Sequence, residues 1–354
     1  MKLLILTQKI DRDDTILGFF HSWVREFAMR SEKVTVIALG VGERDFPGNV
    51  RVLSLGKEEK THSRFQYVCR FYWHIWRERK NYDTVFVHMN DEYVVLGGWL
   101  WRLLGKKICH WRNHPKGGWM IDVAMKFSHQ VYATSMFAYV NRAYPDRVCL
   151  MPVGIDTDVF SPDPTISKIP HSILFLSRLS PIKKPHLLIE AVRILKERRV
   201  SGVVHIVGDP HNPEDYAYAE HLKDLILRYE LGDMITITPG IANRETPSLY
   251  RQYEIFVNLT TTGSFDKTIF EAMVSGLLVA TSNRALEGAI ADVFLVKEND
   301  PHDLAQCLEH LLSLSREKRF AHSAELQEYV EHEHSLKELM RRLFVPGLKT
   351  SIIG

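Results

Sequence analysis

Arg178 and Lys183 stand five residues apart in SRLSPIKKPHLLIE, residues 177–190. The apolar run HSILFLSRL precedes them as a strand, PIKKP breaks it, and HLLIEAVRILKERR continues as an amphipathic helix. Two cations therefore emerge at a strand's carboxyl end beside a helix N-terminus, where backbone N–H groups and the helix dipole favour a phosphate or diphosphate. A fixed guanidinium and a mobile ammonium at this point can neutralise a leaving diphosphate as its charge develops. The same pair also fits a solvated basic turn, so the rest of the chain must decide.

The elements that would position these residues alternate along the whole sequence. KLLILT, LGFFHSWVREFAMR, KVTVIAL, a helix over 63–80, DTVFVHM, YVVLGGWLWRLLG and KKICHW follow one another in the first half. The second half repeats the rhythm with SILFLS, a helix over 186–199, VVHIVG, a helix over 214–229, MITITPG, a short helix over 245–252 and EIFVNLT. A helix from about 268, GLLVATS and VFLVKEN complete it. That alternation predicts α/β architecture: two doubly wound, Rossmann-like domains with parallel sheets and functional loops at the strand carboxyl ends. MPVGIDTDVFSPDP, interrupted by Pro152, Gly154, Pro162 and Pro164, reads as the linker. The expected division is 1–155, 156–330 and a final helical segment 331–354 that packs back on the first domain.

The 354 residues exceed one ordinary core, which agrees with two domains. Cys69, Cys109, Cys149 and Cys307 are scattered, with no metal-ligand spacing, as expected of a reduced, cytoplasmic chain. MKLLILTQKIDRDD opens with too short an apolar run for a signal peptide or span and reads as a first strand. The net charge of +2 conceals an asymmetry, with 23 Lys+Arg against 15 Asp+Glu in residues 1–155 and 22 against 28 in residues 156–354. A basic first half points to an anionic partner such as a membrane surface or a lipid phosphate. SRFQYVCRFYWHIWRERK, which interleaves arginines with aromatic residues, and WLWRLLGKK add to that expectation, although a core helix with a solvated basic face fits the same pattern. The tripeptides Asp11-x-Asp13 and Asp156-x-Asp158 are too common by chance to mark a metal, and no metal or other cofactor is expected.

Several segments together resemble one family. VGIDTDVFSP, SRLSPIKKPHLLIEA, HIVGDP, ITITPGIANRETPSLYRQYEIFVNLT and FEAMVSGLLVA occur in the order and spacing of retaining glycosyltransferases of the GT-B fold, glycosyltransferase family 4. The resemblance covers nearly the whole second half. It implies two Rossmann-like domains facing a central cleft, the first binding acceptor and the second binding a nucleotide sugar. It also implies that Arg178 and Lys183 grip the donor diphosphate and that Glu271 accepts hydrogen bonds from the ribose hydroxyls. Gly208, Ile241, Phe265 and Thr268 are the further donor-binding positions, and Gly18 is the small residue that lets backbone approach the phosphates.

One departure stands out. The family's first glutamate should lie eight residues before Glu271, and that position is Gly263, followed by SFDKTIF in a variant resembling some bacterial members. Backbone amides of Ser264 to Asp266 remain available to sugar hydroxyls or phosphate oxygens, and Asp266 is a candidate replacement for the missing carboxylate. Asp266 and Lys267 also fit a plain turn and helix start. In KKICHWRNHPKGG, His114 resembles the family's active-site histidine and is the third catalytic candidate, while His110 is expected to pack internally. His88 and Asn90, at the end of DTVFVHMN, join His114 as acceptor-side candidates.

The resulting expectation is sugar transfer from a UDP- or GDP-sugar to a hydroxyl of a glycan or lipid-linked acceptor, with retention, in the cytoplasm or at the inner face of the plasma membrane. A nucleotide-sugar epimerase of the same architecture and a non-catalytic nucleotide-binding subunit are the alternatives. Nucleic acid is not an expected partner, and a dinucleotide oxidoreductase is disfavoured because no G-x-G-x-x-G opens a helix after a strand.

Overall fold

The computed structural model describes residues 1–59, 63–261, 265–345 and 348–353. The chain divides into two compact units: Met1–Gly154 with Ala242–Arg244 and Leu336–Gly354, and Ile155–Ile241 with Glu245–Ser335.

The first unit is built on seven strands, β1 (Lys2–Ile10), β2 (Lys33–Val41), β3 (Val50–Ser54), β4 (Thr84–His88), β5 (Lys107–Trp111), β6 (Gln130–Ala133) and β7 (Val148–Leu150). They lie in the order β3-β2-β1-β4-β5-β6-β7, all pairs parallel. The connecting helices are α1 (Phe20–Met29), α2 (Arg64–Arg77), α3 (Asp91–Leu103), α4 (Trp119–Phe127) and the short α5 (Tyr139–Ala143). Leu3 to Leu6 of β1 are fully buried, the near-continuous apolar run of a strand covered on both faces. Phe71, Ile75, Trp101 and Ala124 bring α2, α3 and α4 onto one face against Leu4, Leu6, Val85 and Ile108. Phe20, Trp23 and Phe27 bring α1 onto the other, against Leu3 and Ile5. Ser63 starts α2 with a reciprocal cap: Gln66 N–H donates to Ser63 Oγ and Ser63 N–H to Gln66 Oε1.

The second unit has five parallel strands, β8 (Ser172–Leu176), β9 (Val203–Val207), β10 (Ile235–Thr238), β11 (Ile255–Asn258) and β12 (Leu278–Thr281), in the order β10-β9-β8-β11-β12. Helices α6 (Pro185–Glu197), α7 (Pro213–Arg228), α8 (Thr246–Tyr250), α9 (Lys267–Val274), α10 (Pro301–Ser313) and α11 (Arg316–Glu333) accompany it. The last helix, α12 (Leu336–Phe344), belongs to the first unit, where Leu339 and Leu343 join the α1 layer.

Sequence periodicity passed over β3, β6 and β7, which are only three to five residues long. VFLVKEN, expected as a strand, is not one. Asp292–Phe294 forms a 3-10 turn, and Leu295 makes a single parallel bridge with Thr281, so the apolar side chains pack without extending the sheet. All four cysteines are free. Among the described residues no helix is long and apolar enough to cross a membrane.

Candidate functional site

In both sheets the strand order reverses direction at one place, between β8 and β11 in the second unit and between β1 and β4 in the first. Loops leaving the carboxyl ends on either side of such a point diverge and leave a crevice where ligands of open α/β sheets bind.

Beyond β8, Ser177 N–H bonds to Val207 O at 3.1 Å and Leu179 N–H to Asp209 O at 3.1 Å, so the Arg178 segment runs on beside the end of β9. Gly208 permits this path: a Cβ there would lie 1.8 Å from Ser177 O. Its absent side chain thus fixes the route of the loop carrying Arg178, whatever it offers a ligand. Pro181–Lys183 makes a 3-10 turn, Lys184 takes a left-handed φ of 57°, and Pro185 opens α6 without needing a donor. Arg178 is exposed, and its guanidinium makes no ion pair among the described residues.

Lys183 is placed differently. Its ammonium lies 2.5 Å from Asp266 Oδ2 and 3.2 Å from Thr260 Oγ1, across the switch point from its own loop. Asp266 also accepts from Asn258 Nδ2 at 3.1 Å and from Thr260 Oγ1 at 3.2 Å, and its Oδ1 accepts from Thr268 Oγ1 at 3.1 Å. Burial alone would raise the Asp266 carboxyl. The Lys183 charge and the hydrogen bonds from Lys183, Asn258 and Thr268 together outweigh it and hold the group down at about 2. The two residues expected to serve a diphosphate and to replace a glutamate are therefore partners of one another.

Asp266 caps no backbone N–H of α9 with its side chain, which turns to Lys183 instead. Lys267 opens the helix, and burial pushes its ammonium down against the attraction of Glu271, one turn on. Glu271 is 3 % exposed, and Tyr250 OH donates to its Oε2 at 3.2 Å. Burial, then the Glu271 charge, pushes the Tyr250 hydroxyl well above its ordinary range, so it stays a donor. Phe265 stands edge-on to Phe270 and His334, with ring centroids at 5.0 and 5.6 Å. Ile241 is half-buried in the segment after β10. Gly263 and Ser264 lie outside the described residues. Asn258, Thr260 and Tyr250 were not singled out from the sequence. The signal for Asn258 was an amide closing the otherwise apolar strand IFVN.

At the first unit's switch point, Gly18 sits in the turn before α1, where a Cβ would come 2.6 Å from Asp14 O. Close packing within the turn demands a glycine there. His88 ends β4 but is only 3 % exposed, stacked on Phe20 at 4.1 Å and edge-on to Phe19 and Trp23. Asn90 is the half-buried residue before α3, and its side chain makes no cap. His110 is fully buried, with Nε2 3.2 Å from Asp91, whose other oxygen is 3.0 Å from Arg112 Nε. His114, beyond β5, is exposed, and its Nδ1 accepts from Lys116 N–H at 3.1 Å, which leaves the proton on Nε2. Burial first, then the charges of Arg112 and Lys116, lower its pKa, so the ring is neutral at pH 7 and offers a single N–H.

Residues 156–329 match the family model described as Glycosyl transferases group 1. D-inositol 3-phosphate glycosyltransferase of Paenarthrobacter aurescens is 28% identical over 180 residues, 47% of this chain and 43% of that protein. The match thus takes in less than half of that relative's length. HepE from Anabaena, solved in complex with UDP, superposes with a TM-score of 0.76 at 16% identity, over 96% of this chain and 98% of its own. WaaG, a glycosyltransferase involved in lipopolysaccharide biosynthesis, superposes with a TM-score of 0.68 at 16% identity, over 96% and 97%. The chain has the GT-B fold of these proteins, two Rossmann-like α/β units.

Proposed function

We propose that this chain moves a sugar from a nucleotide diphosphate sugar, a UDP- or GDP-sugar, to a hydroxyl of a glycan or lipid-linked acceptor, retaining anomeric configuration. The observation that carries the reading is the charged crossing at the second sheet's switch point, where Lys183 after β8 meets Asp266 after β11 and Arg178 stands open beside them. Arg178 takes the diphosphate oxygens as a planar, permanently charged donor. Lys183 exchanges part of its contact with Asp266 for a phosphate oxygen, so a cation already held in place meets charge as it develops. Glu271, fixed by Tyr250, receives the ribose hydroxyls, and the backbone at Gly208, Ile241 and Phe265 to Thr268 borders the donor. In the first unit the neutral His114 gives its Nε2–H to a sugar hydroxyl. Neutralisation is assigned to these side chains and not to an ion.

The family match over the second unit and the UDP and UDP-glucose complexes of HepE support a nucleotide-sugar donor. The names of the inositol phosphate and lipopolysaccharide enzymes support transfer to a hydroxyl of a glycan or lipid-linked acceptor. The test is incubation with a panel of UDP- and GDP-sugars and hydroxyl acceptors, reading released nucleotide and, by NMR, the product's anomeric configuration. Acceptor-dependent release with retention is expected. Donor conversion without acceptor would mean an epimerase, and donor binding without turnover would mean a non-catalytic subunit.

A further inference from the structure

The outward side of the α2–α3 layer does not look like an ordinary solvated surface. α2 carries no acidic residue along its 14 positions, and the next acid, Glu78, is 1 % exposed and paired with Arg51 at 3.0 Å. Phe65, Trp73 and Trp76 are instead 75, 55 and 51 % exposed along α2. Next to them on α3, Trp99 and Leu103 are 51 and 77 % exposed. The helices are tied together here, with Tyr72 OH donating to Leu96 O at 2.7 Å and Trp99 Nε1–H reaching Tyr72 OH at 3.4 Å, so these side chains share one face. Among them lie guanidinia that have not moved away into water: Arg77 covers the Trp73 ring at 4.8 Å and Arg79 the Trp76 ring at 4.3 Å. Arg102 of α3, beside Leu103, is turned instead to the end of α4, where its Nε–H donates to Phe127 O at 2.8 Å.

Grouped exposed apolar side chains mark a surface that meets something other than water. The pattern of indoles with adjoining cations on a helix that carries no acid selects among occupants, the exposed acids of this layer including Glu92 at the start of α3 and Glu59, which is 3.9 Å from Arg70. Indoles favour the headgroup level of a bilayer, where arginines on the same face reach lipid phosphates.

We propose that this face docks on an anionic phospholipid bilayer, with the indoles of Trp73, Trp76 and Trp99 at the headgroup boundary and Arg77 and Arg79 on lipid phosphates. The contact is peripheral, since no helix among the described residues is long and apolar enough to span. It goes beyond the transfer reaction and is measured without it, so either reading can fail alone.

The experiment is flotation of the full chain with vesicles of phosphatidylcholine, with and without phosphatidylglycerol, together with tryptophan emission. The wild type is expected to float with the anionic vesicles only, with a blue shift, and less so at high salt. Trp73→Ser/Trp76→Ser should lower partitioning by roughly tenfold or more, and Arg77→Gln/Arg79→Gln should remove the preference for anionic lipid. Melting curves show whether each variant folds, and the arginine pair remains a test if the indole pair does not. Equal partitioning of wild type and variants, no flotation, or no preference for anionic lipid would overturn the proposal. So would a self-association, seen by sedimentation velocity, that the indole variant abolishes, because the face would then be a protein interface.

Discussion

At the carboxyl ends of β8 and β11, charged and polar side chains bind two loops together. At the ends of β1 and β4 Lys9 pairs with Asp11 and Asp14, and Asp91 lies between His110 and Arg112, but the candidate side chain there, His88, lies flat on Phe20 with Phe19 and Trp23 around it. The two sheets share a topology and place a switch point in the same way, so topology alone does not decide what each binds. In the second unit, cations reach the crevice from one side and a carboxylate holds one of them from the other, an arrangement suited to a doubly charged leaving group. In the first, rings close over His88 at the end of β4, and the polar group left exposed among the three histidine and asparagine candidates is the neutral His114. We therefore assign the leaving diphosphate to the cations of the second unit and a sugar hydroxyl to the neutral His114 of the first.

The sharpest way to break this contrast is Arg178→Ala. The side chain is exposed, so the melting temperature should hold, while kcat/KM for sugar transfer should fall by about 10²–10³-fold, the usual loss when one preorganised charge-stabilising donor is removed. Wild-type turnover would move the chemistry away from the second unit.

Asp266→Asn tests the paired cation. Asp266 has its folded pKa depressed from 3.8 to about 2, so its contribution is present above pH 3.8 and is lost as pH falls through about 2. That shift corresponds to about 2 kcal/mol. Urea unfolding should show the variant less stable by that order at pH 7, with the difference closing between pH 4 and 2. Nucleotide diphosphate affinity should rise, because Lys183 no longer has a full charge to exchange. A flat pH dependence together with weakened binding would mean that Asp266 itself contacts the donor.

His114→Gln should lower kcat about tenfold with nucleotide affinity unchanged, the signature of an acceptor-side hydrogen bond. Because the His114 pKa lies below its ordinary 6.5, wild-type activity should persist at pH 6.5 and decline only at lower pH. An equal loss in nucleotide affinity would erase the distinction between the units. The smallest effect is expected of Tyr250→Phe, which removes one hydrogen bond to Glu271 and should cost about 1 kcal/mol in stability with a modest weakening of nucleotide binding.

Parallel α/β architecture and the position of the Arg178 loop after a strand were legible because apolar runs alternate with helical periodicity and because PIKKP breaks the run after SILFLS. The partner of Lys183 was not. Asp266 lies 83 residues further on and turns away from capping its own helix, a choice made by tertiary contact with Asn258 and Thr260. His88 was legible as a strand end, but its burial depends on α1, which folds back over the sheet from residues 20–29. Gly18 drew notice as a small residue that admits a ligand and Gly208 as a donor-binding position, whereas their neighbours show that backbone packing already requires both glycines. The strand expected over VFLVKEN failed because residue preference cannot tell a paired strand from an apolar 3-10 turn.

The most direct test of the central claim is calorimetric titration of UDP and GDP into the wild type and into Arg178→Ala. Selective binding of one nucleotide by the wild type, weakened at least about tenfold in the variant, is the predicted result. Binding of equal strength in both proteins would contradict the assignment of the diphosphate to the second unit's switch point.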